Sequence, residues 1–321
     1  MITVPDFAKK QIVFVFFNEG EKLSFSNDNL VVKDTDGKVK LQCTCYRLFL
    51  LYAVGHCSIT SDLIQKAKKF GFFIALMTTG FRLYSIIGAD KDGNTVLRQK
   101  QYSYNSLDIA KHITSNKMNN QLCVLKETRN KNEMIKDAIE RIPGYIRCVN
   151  ESNDIYQIMA YEGLASKLYF RNHFNNVLWI GRQPRLKRDI TNSVLDVGYT
   201  LLFTFIDAIL LSYGFDTYKG VLHTQFYMRK SLTCDIVEPF RILIDKQVKK
   251  SINLKQINDD DFVIINGQYK LKWKKSTEYV KFLMAPIIDN KEPIFGYIQA
   301  YYRAFMKGSS IDRYPVFNID K

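Results

Sequence analysis

Acidic and imidazole side chains in three short segments of the chain could together hold a divalent cation. Glu162 lies in the segment Tyr-Glu-Gly-Leu-Ala, His223 ends the segment Gly-Val-Leu-His, and Asp235 and Glu238 lie in the segment Asp-Ile-Val-Glu-Pro-Phe-Arg. One imidazole with two or three carboxylates is an oxygen-dominated ligand set, which suits Mg²⁺ or Mn²⁺ better than zinc. The residue types therefore predict a magnesium or manganese site.

Glu162 falls on the apolar face of a predicted helix. The face is marked at three- and four-residue steps, as in one side of a helix with 3.6 residues per turn, by Ile155, Ile158, Met159, Ala165, Ser166 and Tyr169. A carboxylate that points into a core costs several kcal/mol unless it is paired, protonated or bound to a cation. Its partners must come from elsewhere in the chain.

Asp235 and Glu238 are the natural partners because they are three residues apart. If their segment is helical, both carboxylates lie on one side of a single turn. Pro239 fits either the first turn of a helix or a kink. His223 would then supply the one nitrogen ligand.

Each of these residues also has a structural interpretation. Glu162 taken alone could equally be a buried ion-pair partner of an arginine or lysine. A lone histidine is more often a satisfied core or loop residue, and that interpretation is kept for the three histidines without flanking acidic or glycine motifs, which are His56, His112 and His173. The three adjacent aspartates at 259–261 point in different directions and are predicted to form a solvated loop or helix cap.

The charge of the chain favours a polyanionic partner. The 46 Lys and Arg residues exceed the 32 Asp and Glu residues, which leaves a formal charge of +14. Nucleic acid is the first choice for such a partner. Candidate phosphate-binding side chains are Arg182, Arg185, Lys187, Arg188 and Arg241, although Arg241 could equally brace the metal carboxylates; Lys270, Lys272, Trp273, Lys274 and Lys275 are as compatible with a solvated basic face as with DNA binding.

Neither a membrane nor an oxidising compartment is expected. The first residues match neither a signal peptide nor an acylation motif, so a cytoplasmic protein is predicted. The longest apolar run, residues 201–211, carries Asp207 within a polar stripe at helical spacing, which indicates a buried helix. The six cysteines form no Cys-x-x-Cys pair and are predicted to be reduced.

The order of elements predicts an α+β fold. Segments rich in β-forming residues fill the first part of the chain, with one helix-like stretch at 59–70, whereas helical periodicity dominates the rest. The predicted division is a small β-rich domain at 1–90, a linker at 91–105, and a larger, mostly α-helical catalytic domain at 106–321. Within the last, residues 261–273 predict a surface hairpin around Asn266-Gly267.

The ordered set of motifs resembles one known family, the CRISPR-associated integrases that insert new spacers into CRISPR arrays. No single motif is specific, but the order of the motifs along nearly the whole chain is specific. In chain order they are Arg98, Gln101-Tyr102, Glu162-Gly163 with Ala165, residues 185–189, Asn192, residues 198–202, residues 214–216, residues 220–223 and residues 235–241. The segment 185–189 lacks the proline common in the family, so the CRISPR subtype stays open.

The resemblance implies the chemistry and the partners. It assigns Glu162, His223 and Glu238 as metal ligands and Asp235 as a helper near the metal. It implies that the chain joins the 3′-hydroxyl ends of short foreign DNA to CRISPR repeat DNA by transesterification. It further implies a homodimer formed through the β-rich domain, with two dimers flanking a dimer of a small ferredoxin-like adaptation partner.

Two other functions remain open from the residues alone. A hydrolytic nuclease or branched-DNA resolvase would use the same metal with water as the nucleophile. A basic scaffold without activity would keep the acidic residues only as core ion pairs, which a complete ligand set disfavours. No nucleotide-binding Gly-x-x-x-x-Gly-Lys-Ser/Thr loop occurs, so energy would come from exchanging one phosphodiester for another.

Overall fold

Two compact units make up the chain in the computed structural model, which describes residues 2–174, 179, 181–223 and 226–319. The first unit contains residues 1–98 and 204–215, and the second contains residues 99–203 and 216–321. An N-terminal region of strands is followed by a mostly helical region, as expected for the predicted α+β fold.

Two small sheets form the first unit. The elements in chain order are α1 Val4–Ala8, β1 Gln11–Phe17, β2 Lys22–Ser26, β3 Asn29–Lys33, β4 Val39–Thr44, β5 Leu48–Gly55, α2 Ser61–Phe70, β6 Phe73–Met77 and β7 Leu83–Gly88. The mixed sheet has the order β1-β5-β6-β7, with β1, β5 and β6 parallel and β7 antiparallel, and the meander β2-β3-β4 is antiparallel.

Turn chemistry divides the predicted strand segments. Ser26 pairs with Asn29 across a two-residue loop, in which Asn27 and Asp28 both have positive φ, at 46° and 57°. Such a loop matches the right-handed twist of the strands, so one predicted β segment becomes a hairpin. The central strand β5 is buried along its whole length, as expected for a strand covered on both faces.

Helices dominate the second unit and carry the predicted site. They follow α3 Thr95–Ser103, which spans the boundary between the units, and one of them, α7 Ile190–Tyr213, crosses that boundary again after Phe203. The remaining elements in chain order are α4 Asp108–Glu127, α5 Glu133–Glu151, α6 Ile155–His173, α7 Ile190–Tyr213, α8 Ser231–Val237, α9 Arg241–Asn253, β8 Phe262–Ile265, β9 Gln268–Leu271, α10 Ser276–Asp289 and α11 Lys291–Lys307.

Helix α7 contains the apolar run that the sequence singled out. It is long and apolar enough to cross a membrane by length and composition, with a mean hydropathy of 1.9, and no other helix within the described ranges passes that test. However, 78% of its apolar stretch is buried inside the structure, and Asp207 and Thr204 are fully buried with it. The prediction of a buried helix is confirmed.

The predicted hairpin is present beside the basic segment 185–188. Strands β8 and β9 pair antiparallel, and Asn266 and Gly267 both have positive φ at the turn between them. The Tyr269 amide donates to the Lys187 carbonyl at 2.8 Å, and the Ser193 hydroxyl donates to the Tyr269 carbonyl at 2.8 Å. The hairpin therefore holds the backbone of the basic segment in place.

Two buried asparagines of α4 fix the backbone of residues 317–319. Asn116 exchanges hydrogen bonds with the Phe317 backbone, at 2.7 and 2.9 Å. Asn120 donates to the carbonyls of Phe317 at 2.9 Å and Pro239 at 3.1 Å, and it accepts from the Ile319 amide at 3.2 Å. We call these contacts the asparagine latch. It ties residues 317–319 to the turn that carries Glu238.

Candidate metal-binding active site

Helix α6 places Glu162 at the edge of the core. The helix begins after Asp154, whose side chain accepts from the Gln157 amide, a contact that satisfies one of the free amides of the first turn. The Glu162 side chain is 23% exposed, and the Ser166 hydroxyl donates to its Oε1 at 2.6 Å. One marker of the predicted apolar face was wrong, since Met159 is 43% exposed.

Asp235 is fully buried and holds the His223 segment by its backbone. Its Oδ2 accepts from the amides of Val221 at 2.6 Å and Leu222 at 3.1 Å, and its Oδ1 accepts from the His223 amide at 3.0 Å. Three backbone donors on one carboxylate make a strong anchor. Gly220 leaves room for it, because a Cβ there would lie 2.6 Å from Asp235 Oδ2.

The same carboxylate sets the tautomer of His223. The His223 Nδ1 lies 2.6 Å from Asp235 Oδ1. Because a carboxylate oxygen accepts, the Nδ1–H group faces Asp235, and in the neutral imidazole this leaves the lone pair on Nε2. This arrangement is the usual support for a metal-ligating imidazole. Asp235 thus lies behind His223 rather than in the cavity that His223 lines.

Glu238 stands at a break between two helices. Helix α8 ends at Val237, residues 238–240 form a single 3₁₀ turn, and α9 begins at Arg241, so Pro239 starts a new turn. Glu238 and Asp235 therefore have different partners, although they are only three residues apart. The Glu238 Oε1 accepts from Arg241 Nε at 3.0 Å, and its Oε2 lies 2.5 Å from Lys117 Nζ.

The two cations keep Glu238 ionised. Burial alone would raise the pKa of this carboxyl, but Arg241, Lys117 and His223 outweigh burial and lower the pKa to about 2. Arg241 is fixed in turn by Tyr199, since its guanidinium lies 4.6 Å from the centre of the Tyr199 ring. An arginine over an aromatic face is a favourable cation–π contact.

Lys117 of helix α4 joins the two glutamates. Its Nζ lies 2.5 Å from Glu162 Oε1 and 2.5 Å from Glu238 Oε2. Burial disfavours the charged ammonium, but Glu162 and Glu238 outweigh burial and raise the pKa of Lys117 above its ordinary value. Both glutamates therefore have an ion-pair partner, as the structural interpretation of Glu162 predicted.

Glu162, His223 and Glu238 nevertheless line one cavity of about 40 Å³, together with Thr114, Lys117, Met159 and Leu222. Within residues 2–174, 179, 181–223 and 226–319, no three His, Cys, Asp or Glu side chains are close enough to bind one metal ion directly. Glu238 Oε2 is buried and has no partner of good hydrogen-bond geometry. The donor types fit a hard divalent cation, and the Lys117 ammonium lies between the Glu162 and Glu238 carboxylates.

Comparison with known proteins identifies the family. A family model described as CRISPR associated protein Cas1 matches residues 14–283, most of the chain. The chain belongs to the Cas1 family. The resemblance read from the ordered motifs is confirmed.

Similar proteins span nearly the whole chain of this Cas1 family member. The CRISPR-associated endonuclease Cas1 2 of Rhodospirillum rubrum is 26% identical over 330 residues, covering 92% of this chain and 95% of that protein. A casposase bound to integration product has a TM-score of 0.78 at 18% identity, covering 98% and 95%. A chain of a Cas6-RT-Cas1–Cas2 complex has a TM-score of 0.82 at 20% identity, covering 98% of this chain but 36% of that one. The structural likenesses show the Cas1 fold.

The predicted phosphate-binding side chains differ in their surroundings. The Arg182 guanidinium is held by Asn192 at 2.8 Å and Asp196 at 2.5 Å and is 11% exposed. Arg185 and Arg188 are exposed, and burial lowers the pKa of the half-buried Lys187. Arg185 and Arg188 are thus the side chains of this set best placed to meet a phosphate from solvent.

Lys117, which contacts both glutamates, was not predicted from the sequence. Its neighbours on the same face of α4, at four-residue spacing, are Ile113 and Gln121, both buried, with Thr114 buried beside them. A lysine within a buried polar stripe of a helix is the signal that could have found it. Two of the histidines left out of the site have structural hydrogen bonds, His112 to the Pro315 carbonyl and His173 to the Asp245 carbonyl.

Proposed function

We propose that this Cas1 family member is a DNA integrase that joins the 3′-hydroxyl ends of short foreign DNA to CRISPR repeat DNA by transesterification. The observation that supports this most directly is the cavity shared by Glu162, His223 and Glu238, which come from three separate segments of the chain. The casposase with the same fold, which was captured with an integration product, makes strand joining the reaction to test first.

Glu162, His223 Nε2 and Glu238 are the residues that would hold the ion, which we propose to be Mg²⁺ or Mn²⁺. When bound, the ion supplies a Lewis acid for the scissile phosphate and stabilises the negative charge that develops on its oxygens. The surrounding side chains position the residues that would hold the ion. Asp235 keeps His223 in one tautomer, and Arg241 keeps Glu238 oriented and ionised.

The reaction itself exchanges one phosphodiester for another. The 3′-oxygen of the incoming DNA forms a bond to phosphorus, the bond from phosphorus to the 3′-oxygen of the repeat strand breaks, and that oxygen takes up a proton in place of the one the attacking hydroxyl lost. One ester bond forms for each that breaks. The step therefore needs no nucleotide hydrolysis, in keeping with a chain that lacks a phosphate-binding Gly-x-x-x-x-Gly-Lys-Ser/Thr loop.

Double-stranded DNA is the proposed macromolecular substrate. A charge of +14 favours a polyanion, and we assign phosphate binding to Arg185 and Arg188, with Lys187 beside them and Arg182 and Arg241 bracing the acidic side chains. We also propose a homodimer and a small ferredoxin-like partner. The structurally similar chain from the Cas6-RT-Cas1–Cas2 complex supports such a partner. The proposed location is the cytoplasm of a prokaryote.

Hydrolysis is the second candidate, since the Rhodospirillum rubrum relative is named an endonuclease. A labelled short duplex with free 3′-hydroxyls, a plasmid carrying a CRISPR repeat and Mn²⁺ separate the two reactions, with the partner protein added or omitted. Joining transfers the label to the plasmid, whereas hydrolysis cuts DNA without transferring the label. An inactive scaffold binds DNA and changes only its mobility in a gel.

Glu162→Ala should abolish label transfer and leave DNA binding intact, because the carboxylate faces the cavity rather than the basic segment. Glu133→Ala is the matched control, since the Glu133 side chain is 88% exposed and pairs only with the neighbouring Lys136 in the described structure. Full joining activity in Glu162→Ala would refute the assignment of the site, and cleavage without transfer in the wild type would move the proposal to the nuclease.

A further inference from the structure

Among the described residues that line the cavity shared by Glu162, His223 and Glu238, Lys117 is the only lysine or arginine. Its side chain is 13% exposed, and it touches a carboxylate from α6 and another from the 3₁₀ turn after α8. The contact has the geometry of a bound cation, with one positive charge centred between two oxygen donors.

The charges of this cluster balance without a metal ion. Lys117 and Arg241 carry two positive charges, and Glu162 and Glu238 carry two negative charges. Pairing is what makes such partly buried charges tolerable, because an unpaired one costs several kcal/mol. Removal of the ammonium alone would leave two carboxylates facing each other across a small cavity.

A divalent cation and the Lys117 ammonium compete for the same oxygens. An ion held by Glu162 and Glu238 would lie within a few ångströms of a nitrogen that is 2.5 Å from each of them. Like charges at that distance repel strongly in a partly buried site. Lysine is suited to leave, because its ammonium ends a flexible four-carbon stem with rotatable bonds.

We propose that Lys117 is a built-in counter-ion of the metal site: it occupies the cation position between Glu162 and Glu238 when no metal is bound and is displaced when a divalent cation binds. The inference rests on the proposed function, since it assumes that these carboxylates hold a metal. Lys117 then sets the metal affinity of the site and preserves its shape without metal. It acts as a positioning residue, through the two glutamates.

Calorimetric titration of Mn²⁺ into metal-free protein tests the competition directly. In Lys117→Met the side chain is one atom shorter, stays unbranched and loses its charge. We expect Mn²⁺ to bind with a Kd about tenfold lower than in the wild type, the scale of one lost ion pair. Lys117→Arg keeps the charge and should bind Mn²⁺ no more tightly than the wild type. Lys126→Met, at an exposed position of the same helix, should match the wild type.

A melting curve gives a second, independent readout. Without metal, Lys117→Met should melt several degrees below the wild type, because the two carboxylates repel. Saturating Mn²⁺ should remove most of that difference. If Lys117→Met is too unstable to purify without metal, Lys117→Gln, which retains hydrogen-bond donors, is expected to shift both readouts in the same direction.

The outcomes separate the inference from the proposed function. Equal or weaker Mn²⁺ binding by Lys117→Met, with normal binding by the wild type and loss in Glu162→Ala, would refute the counter-ion role and leave the metal site standing. Absence of Mn²⁺ binding by the wild type would refute the metal site and the counter-ion role together. Tighter binding by Lys117→Met but not by Lys126→Met supports the proposal.

Discussion

Replacement of Glu238 by glutamine tests how much the buried charge cluster stabilises the second unit. The change keeps the size of the side chain and removes its charge, which leaves Lys117 and Arg241 with one carboxylate fewer between them. Glu238 is 5% exposed, so solvent screens little of the effect. Loss of stability at neutral pH is the expected result.

The magnitude follows from the pKa of Glu238. The pKa falls from an ordinary 4.5 to about 2 despite burial, because Arg241, Lys117 and His223 favour the ionised form. That difference corresponds to a preference of about 3 kcal/mol for the charged form. A lowered carboxyl pKa contributes stability that is complete above about pH 4.5 and is lost as the pH falls through 2. Roughly half should remain at pH 3.

Urea unfolding at pH 7 and pH 3 measures this contribution. Glu238→Gln should be less stable than the wild type by about 3 kcal/mol at pH 7, and the gap should narrow at pH 3. Glu133→Gln is the control, because an exposed carboxylate should change the free energy of unfolding by less than about 0.5 kcal/mol. A gap below that value for Glu238→Gln at pH 7, or one of equal size at both pH values, would refute the reasoning.

Two further predictions concern groups near this cluster. Burial raises the pKa of Asp245 to about 6, although Tyr199 and Arg241 lower it. The carboxyl therefore makes its full contribution to the stability of the fold below about pH 4, where it is protonated, and this contribution is lost as the pH rises through 6. Asp245→Asn should gain up to about 3 kcal/mol relative to the wild type between pH 4 and pH 7.5 in urea unfolding, and a constant difference would contradict this. Gly220→Ala would place a Cβ 2.6 Å from Asp235 Oδ2, displace His223 and slow label transfer about tenfold or more; unchanged transfer by a folded variant would argue against Asp235 as the anchor of His223.

Helical register and turn chemistry made much of this fold predictable. Glu162 could be placed on the inner face of α6 because apolar residues recur there at helical spacing, and Asn266-Gly267 located the hairpin because few residues adopt the φ values of that turn. Both signals are local, so a single segment carries them. The family resemblance then supplied the order of the motifs.

Interactions between distant segments could not be predicted in the same way. The spacing of Asp235 and Glu238 suggested two carboxylates at one ion, but the partner of each is set by packing: Asp235 meets the amides of residues 221–223, whereas Glu238 meets Lys117, more than a hundred residues away. Long-range ion pairs leave no periodic trace in a sequence. The polar stripe of α4 could have singled out Lys117 as a buried lysine, but the sequence does not show which carboxylates it pairs with.

The asparagine latch has a kinetic consequence for the site. Asn116 and Asn120 contact residues about 200 positions later in the chain, and contacts that close long loops form late in folding, because the entropy of closure must be overcome first. The same Asn120 fixes the Pro239 carbonyl, next to Glu238. A partly folded chain would therefore lack an ordered pairing of Glu238 with Lys117. The candidate site would therefore reach its final arrangement only after residues 317–319 have docked on α4.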